Sequence, residues 1–179
     1  MSAPLAYTSV PTLFGALHLA WGAAEGGPRV YRILLPNEPP AAEETPPPAA
    51  IAALRERIAC FMAGEAVAFD ESCLFLLALD GCSAFQRRVL IAEYGVPRGQ
   101  VTTYGRLARQ VNAPDGARAV GGALARNPFP IVIPCHRAVR SDGALGGYRG
   151  GLPMKRALLE MEGVPVSPAR RVLADRFCY

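Results

Sequence analysis

The stretch Pro134-Cys135-His136-Arg137 sets a thiol, an imidazole and a guanidinium side by side, directly after the β-branched run Ile131-Val132-Ile133. A free cysteine titrates near about 8.5 and is a weak nucleophile at neutral pH, so a base within reach is what would activate it. The apolar run reads as a buried strand that delivers the thiol at its end. Successive side chains of an extended segment face opposite sides, so Cys135 and His136 need a turn or a bridging water to cooperate. Pro134 favours the turn, because it has no N–H for a strand ladder and a fixed φ. An imidazole acting as a base also needs a group that fixes its tautomer. Glu160 and Glu162 are the candidates, carried back by a helix predicted over Pro153–Met161, and spacing does not choose between them.

The elements that must hold this cluster lie mostly upstream. Ala84–Tyr94 puts Phe85, Val89 and Ala92 on one helical stripe with Gly95 as its stop. After the turn around Pro97 and Gly99, Thr102 or Thr103 can cap a helix running through Val111. Asn112–Gly116 reads as a turn, with Asp115 placed to cap a second helix, Ala117–Arg126, that ends at Asn127 because Pro128 cannot continue it. Helix, tight turn, helix is the grammar of a helix-turn-helix. Within the second helix, Gly121 and Gly122 each lower stability by about 1 kcal/mol relative to alanine. Either the helix packs tightly inside the protein, or its small residues let another molecule approach, with Arg118 near its start.

The first half has a different pattern. Thr12–Trp21 and Arg29–Leu35 flank a glycine turn and read as paired strands, Pro36–Pro48 as a loop, and Ala49–Met62 as a helix with Ile51, Leu54, Ile58 and Phe61 on one face. Val67–Ser83 reads as a linker. The expected class is α/β (α+β): a small N-terminal domain over residues 1–80 with an antiparallel sheet, then a mainly helical domain over 84–168 with a short active-site strand. Residues 169–179 form a basic tail with Arg170, Arg171 and Arg176, which either adds a nucleic-acid contact or hangs loose.

Composition narrows the chemistry. The chain has 179 residues, a +4 formal charge and a single lysine, Lys155. Residues 1–83 carry four arginines against nine acids, whereas residues 84–179 carry fifteen basic residues against six acids. A strongly basic second half suggests a polyanionic partner, nucleic acid first, although a solvated basic surface has the same composition. Five cysteines without C-x-x-C spacing argue against a disulfide framework, and two histidines, His18 and His136, leave too few ligands for a metal centre. No cofactor is expected. The N-terminus lacks the positive start of a secretion signal, and the apolar window Leu13–Ala24 is too short to span a bilayer. A cytoplasmic protein without a membrane partner is expected.

Phe85–Leu90, Gly99–Ala108, Ala117–Pro128 and above all Pro134–Gly163 together resemble the O6-alkylguanine-DNA alkyltransferases, also called methylated-DNA–protein-cysteine methyltransferases. The resemblance is dense over about residues 84–164 and loose before them. It implies a suicidal repair protein that moves the alkyl group of O6-alkylguanine, and of O4-alkylthymine, irreversibly to Cys135. His136 then matches the base acting through a water, and Glu162, rather than Glu160, the carboxylate that holds it. It further implies that the base is flipped out of duplex DNA from the minor groove, with Ala117–Arg126 lying in the groove and Arg118 filling the vacated space. Thr103, Ala117, Ala119, Gly121, Gly122 and Arg126 would join Arg118 and Tyr104 in contacting DNA.

By the same resemblance Tyr104 crowds the target phosphate and donates to the flipped base, Asn127 is the hinge before the active-site strand, and Lys155 lies near the thiol. Pro134, Ala138, Tyr148 and Arg149 would line the substrate pocket. Two positions depart from the family pattern. Ala138 stands for a usual valine, and Arg149 for smaller residues, which bears on the entry of bulky alkyl groups. The protein is expected to act as a monomer on double-stranded DNA. The main alternative is a non-catalytic alkylguanine-recognition protein, against which the presence of Cys135 counts. A Cys-His-Glu hydrolase would leave the glycine-rich helix unexplained, and a promoter regulator would need polar side chains on that helix to read base edges.

Overall fold

A computed structural model describes residues 5–172 and 174–178. The chain divides into two compact units. The first holds the described residues up to Gly81 together with Pro128–Val132, and the second holds Cys82–Asn127 with the described residues from Ile133 onward.

In the first unit β1 (Ala6–Val10), β2 (Leu17–Ala24) and β3 (Gly27–Leu34) form an antiparallel sheet in the order β1-β2-β3. The pair Ala24↔Gly27 closes the glycine turn, and a bulge at Ala20/Trp21 shifts the β2–β3 register. Sequence patterning merged two features here. Thr12–Gly15 is a tight turn closed by reciprocal backbone bonds of 3.1 and 3.2 Å, so the expected strand over Thr12–Trp21 begins only at Leu17 and pairs on its other side with β1. α1 (Ala49–Met62) packs on β1 and β3 and buries Ile51, Leu54, Ile58 and Phe61, the stripe read from its spacing. Val67–Ser83 is more than a linker, because Asp70 caps a short α2 (Glu71–Phe75) by accepting from the Ser72 and Cys73 amides.

The second unit contains α3 (Ala84–Tyr94), β4 (Thr102–Thr103), α4 (Tyr104–Gln110), α5 (Ala117–Ala125), β5 (Ala138–Val139) and α6 (Leu152–Met161). Ser83 caps α3, and Thr103 rather than Thr102 caps α4, its hydroxyl accepting from the Arg106 amide at 3.1 Å. Asn112 ends α4 with a left-handed φ of 59°, a conformation asparagine tolerates better than most residues. Asp115 does not cap α5. Gly116 holds that position without a side-chain bond. α4 and α5 pack on each other, and α5 packs on α3, with Val120, Ala123 and Leu124 as its buried face.

The strand expected over Ile131–Ile133 does not form: Ile131 and Val132 make a turn, and Ile133 makes a single bridge. Ile131 has a φ of 75°, costly for a β-branched side chain, yet it is buried at 1% exposure, as are Val132 and Ile133. Burial and β-branching were legible there, but a short apolar run fits a buried turn as well as a strand, and Pro128 and Pro130 on its flank supply no N–H to a ladder. The strand near the thiol comes later, where β5 pairs in parallel with β4 through Thr102↔Ala138 and Thr103↔Val139. Residues of the basic C-terminal stretch are docked. Val172 and Phe177 join Val101, Val139, Leu145 and Leu159 in one apolar cluster, and Val101 exchanges backbone bonds with Arg176 and Cys178. Leu173 and Tyr179 lie outside the described residues.

Candidate functional site

Cys135 opens a single 3-10 turn, Cys135–Arg137, between the β-branched run and β5. The turn, rather than an extended segment, resolves the opposite-face problem posed by adjacent residues. From Ile133 to Val139 every residue is buried except Cys135, which is half-buried. A thiol is thus the one group this tightly packed segment offers to the outside. Burial pushes its pKa up to about 11, Asn127 and the cations Lys155 and Arg149 pull against that, and Glu93 adds to it. At neutral pH the resting group is the thiol.

Behind it lies a chain of buried polar side chains. His136 Nε2 is 3.0 Å from Glu162 Oε1, and both side chains are fully buried. A carboxylate only accepts, so Nε2 carries the proton and Nδ1 keeps the basic lone pair. Burial lowers the His136 pKa against the opposing pull of Glu162, which keeps the ring neutral and able to accept a proton. Glu162 is pushed up by burial but held down to about 2 by His136 and Arg137. Arg137 grips it bidentately, Nε to Oε2 at 2.9 Å and Nη2 to Oε1 at 2.7 Å, and its Nη1 donates to the Val96 carbonyl. Glu160 instead pairs on the surface with Arg156 at 2.8 Å. The family pattern selected Glu162, and the geometry pairs this residue with His136.

Asn127 and Ile133 are the points where the chain leaves and re-enters the second unit. The Asn127 side-chain amide donates to the Ile133 carbonyl at 3.0 Å and so ties the two ends together immediately before the thiol. Arg149 Nη1 donates to the Asn127 carbonyl at 3.0 Å. Lys155 is fully buried, and its ammonium donates to the carbonyls of Ala138 at 2.7 Å, Gly147 at 3.3 Å and Leu145. It therefore fixes the segment after the thiol to the 145–147 loop and is no solvated helix residue.

The β4–β5 pairing runs Thr103 directly into Tyr104 at the start of α4. Burial raises the Tyr104 pKa to about 12, helped by Glu93 and Cys135, so its hydroxyl remains a donor across the neutral range. A Cβ on Gly146 would sit 2.8 Å from that hydroxyl, and Gly146 has a φ of 68°, so the loop passes Tyr104 only as glycine. The Tyr148 hydroxyl is buried without a hydrogen-bond partner among the described residues, and burial raises its pKa well above the usual value. Pro134 and Ala138 are buried on either side of the turn.

The remaining predicted residues form an outward face. On α5, Arg118, Ala119 and Arg126 are exposed and Ala117, Gly121 and Gly122 are partly exposed, opposite the buried Val120, Ala123 and Leu124. A Cβ on Gly121 would meet nothing closer than 3.9 Å, and one on Gly122 nothing closer than 3.6 Å. Packing inside the protein does not require these glycines. Thr103 is buried as the cap of α4 and offers no outward surface. Among the described residues no group of three or more His, Cys, Asp or Glu is arranged to hold a metal ion, and no helix is long and apolar enough to cross a membrane.

Two residues were missed from sequence. Arg137 stands in the quoted motif but was given no role, and its bidentate hold on Glu162 shows one. Glu93 has no place in the helical stripe read from Phe85, Val89 and Ala92, yet it is fully buried.

Known proteins match this chain in sequence and in fold. Residues 84–164 match the family described as 6-O-methylguanine DNA methyltransferase, DNA binding domain. A methylated-DNA–protein-cysteine methyltransferase of Methanothermobacter thermautotrophicus is 47% identical over 132 residues, 74% of this chain and 72% of that protein. The protein of that name from Mycobacterium tuberculosis is 42% identical over 125 residues, 70% and 73% of the two chains. Among solved structures, Mycobacterium tuberculosis OGT in complex with DNA superposes with a TM-score of 0.71 at 34% identity, covering 87% of this chain and 91% of that one. O6-methylguanine-DNA methyltransferase from Pyrococcus kodakaraensis gives a TM-score of 0.67 at 27% identity, with 89% and 99% covered. With the identity extending well beyond the motif around the thiol, this chain belongs to the methylated-DNA–protein-cysteine methyltransferases.

Proposed function

We propose that the protein repairs O6-alkylguanine in double-stranded DNA by a single transfer of the alkyl group to Cys135. The observation that carries this reading is the half-buried thiol at the head of the buried His136–Glu162–Arg137 chain. His136 takes the thiol proton through a water, and Glu162 balances the imidazolium that forms. The sulfur then attacks the alkyl carbon, the S–C bond forms and the C–O6 bond breaks. The electron pair leaves with guanine, which takes a proton from the Tyr104 hydroxyl, and the proton held on His136 returns through water to restore the tyrosine, leaving both side chains neutral. The thioether has no leaving group for a second cycle, so each molecule acts once.

A guanine inside a duplex cannot reach a half-buried sulfur, so the base is flipped out at a cost of a few kcal/mol. α5 enters the minor groove, roughly 6 Å wide, where its alanine and glycine face fits, and Arg118 occupies the gap. Tyr148 and Arg149 bound the alkyl pocket, and O4-alkylthymine is a second substrate. The protein works as a monomer in the cytoplasm, a reducing compartment that suits five free cysteines.

Intact-protein mass after mixing with a duplex carrying one O6-methylguanine, followed by peptide mapping, tests the reading. A stoichiometric gain of one methyl group on Cys135, absent in Cys135→Ser, is expected. Tight lesion binding without mass gain would favour a recognition module instead.

A further inference from the structure

The α3 face that enters the core consists of Val89, Leu90 and Glu93. Val89 and Glu93 are one helical turn apart, so Glu93 holds a position where a third aliphatic residue would serve. Its side chain is fully buried, and no side chain among the described residues hydrogen-bonds either carboxyl oxygen, although the backbone amide of Ala138 bears on the carboxyl and favours its ionised form. A buried acid so weakly partnered costs stability, and such a group is retained where its charge state has a use.

Its surroundings indicate the use. Glu93 lies within electrostatic reach of Lys155 on α6, Arg137 and Cys135 on the 3-10 turn, Tyr104 on α4 and Cys178 of the C-terminal stretch. Arg137 is already committed to Glu162, and Lys155 to three carbonyls. With Arg137 and Glu162 compensating each other, the charges acting on the thiol are the cations Lys155 and Arg149 and, when ionised, Glu93. With Glu93 neutral, that positive excess favours a thiolate. Ionised Glu93 offsets part of it and sets a like charge against the sulfur.

We propose that Glu93 is a positioning residue of the transfer reaction, a proton-linked group that sets the charge felt by the Cys135 sulfur without touching the alkylated base. This rests on Cys135 being the alkyl acceptor. Burial raises the Glu93 pKa to about 8, against the pull of Lys155 and Arg137, and burial lowers that of Lys155 to about 8. The two groups titrate as a pair, so Glu93 is neutral below that range and restrains the thiol above it.

The test compares wild type with Glu93→Gln and Glu93→Leu across about pH 6.5 to 9.5, a window that brackets the pair's titration. Iodoacetamide, with peptide mapping of Cys135, reads the thiolate fraction, and a duplex carrying O6-methylguanine reads transfer. Removing one neighbouring charge is worth about half to one pKa unit, so the variant-to-wild-type rate ratio is expected to rise roughly 3- to 10-fold with pH. Loss of side-chain packing alone would scale the rates equally at every pH. Melting at each pH supplies a second measurement that needs no reactivity. The raised pKa gives Glu93 a stability contribution that is intact below about 4.5 and lost as pH climbs to about 8, so the melting temperature of Glu93→Leu relative to wild type should climb through that window. A methylated Cys135 with a flat rate ratio overturns the role of Glu93 alone. An unmethylated wild-type Cys135 overturns the acceptor assignment and this inference with it.

Discussion

The two units solve the problem of making a core in opposite ways. In the first, sheet and helix close over Leu17, Leu19, Ile33, Ile58 and Phe61, and among the described residues Thr8 is a buried polar side chain, its hydroxyl donating to Glu44. In the second, Glu93, Thr102, Thr103, Asn127, His136, Arg137, Lys155 and Glu162 are all buried. A dry ion pair is weak support for a fold, because desolvation offsets most of its attraction. The second core therefore trades stability for a fixed electrostatic environment around one sulfur, while the first is mainly apolar.

Removing Glu162 tests that contrast most strongly. Glu162→Ala strands the Arg137 guanidinium in the interior and should destabilise the protein by about 3–5 kcal/mol. Leu19→Ala in the first unit should cost a similar ~2–5 kcal/mol through the cavity it leaves. Denaturant unfolding would show comparable losses, but alkyl transfer per folded molecule should collapse for Glu162→Ala and persist for Leu19→Ala. Equal effects on transfer would erase the distinction between the cores. Acid sharpens it further. Glu162 has a depressed pKa of about 2, so its contribution is present above about 4.5 and lost as pH falls toward 2. Glu93 contributes with the opposite slope, from about 4.5 up to about 8. The loss of stability on acidification should therefore shrink in Glu162→Gln, and the loss above about 4.5 should shrink in Glu93→Leu, each read as a difference from wild type.

Much of the first unit was legible because its cues are periodic. The stripe Ile51, Leu54, Ile58, Phe61 and the turn at Gly26 follow from local rules, whereas β1, hidden among mixed small residues, the short α2 and the Thr12–Gly15 turn escaped. The second unit was legible through its motif. Spacing left Glu160 and Glu162 open, since both follow the same helix, and it took the family pattern to choose. Glu93 was invisible for a physical reason: periodicity assigns an acid to the solvent face, and only the packing of α3 under the 3-10 turn buries it. The left-handed Ile131 was equally hidden, because strain imposed by tertiary context leaves no trace in composition.

The outward face of the second unit allows a finer division. Arg118 is exposed at the start of α5 and away from the thiol's buried chain. Arg118→Ala should slow repair of O6-methylguanine in duplex DNA by about tenfold or more, about 1.4 kcal/mol, while transfer from the free base O6-benzylguanine changes little. Equal losses on both substrates would place Arg118 in the chemistry rather than in opening the duplex.

The smallest effect separates folding from binding on a single helix. Gly122 lies in the interior of α5 with an ordinary helical φ, and an added methyl would meet only the Arg126 guanidinium at 3.6 Å, a flexible group at ordinary contact distance. Gly122→Ala should therefore stabilise the protein by about 0.5–1 kcal/mol, the usual gain from replacing glycine in a helix. If α5 lies in the minor groove, the same methyl group should weaken duplex binding, measured as a rise in Kd at fixed salt. A variant that gains stability and keeps its affinity would return the glycines to the fold. One that gains stability and loses affinity would show that the second unit gives up helix stability at its surface, as it does in its core, for the sake of its substrate.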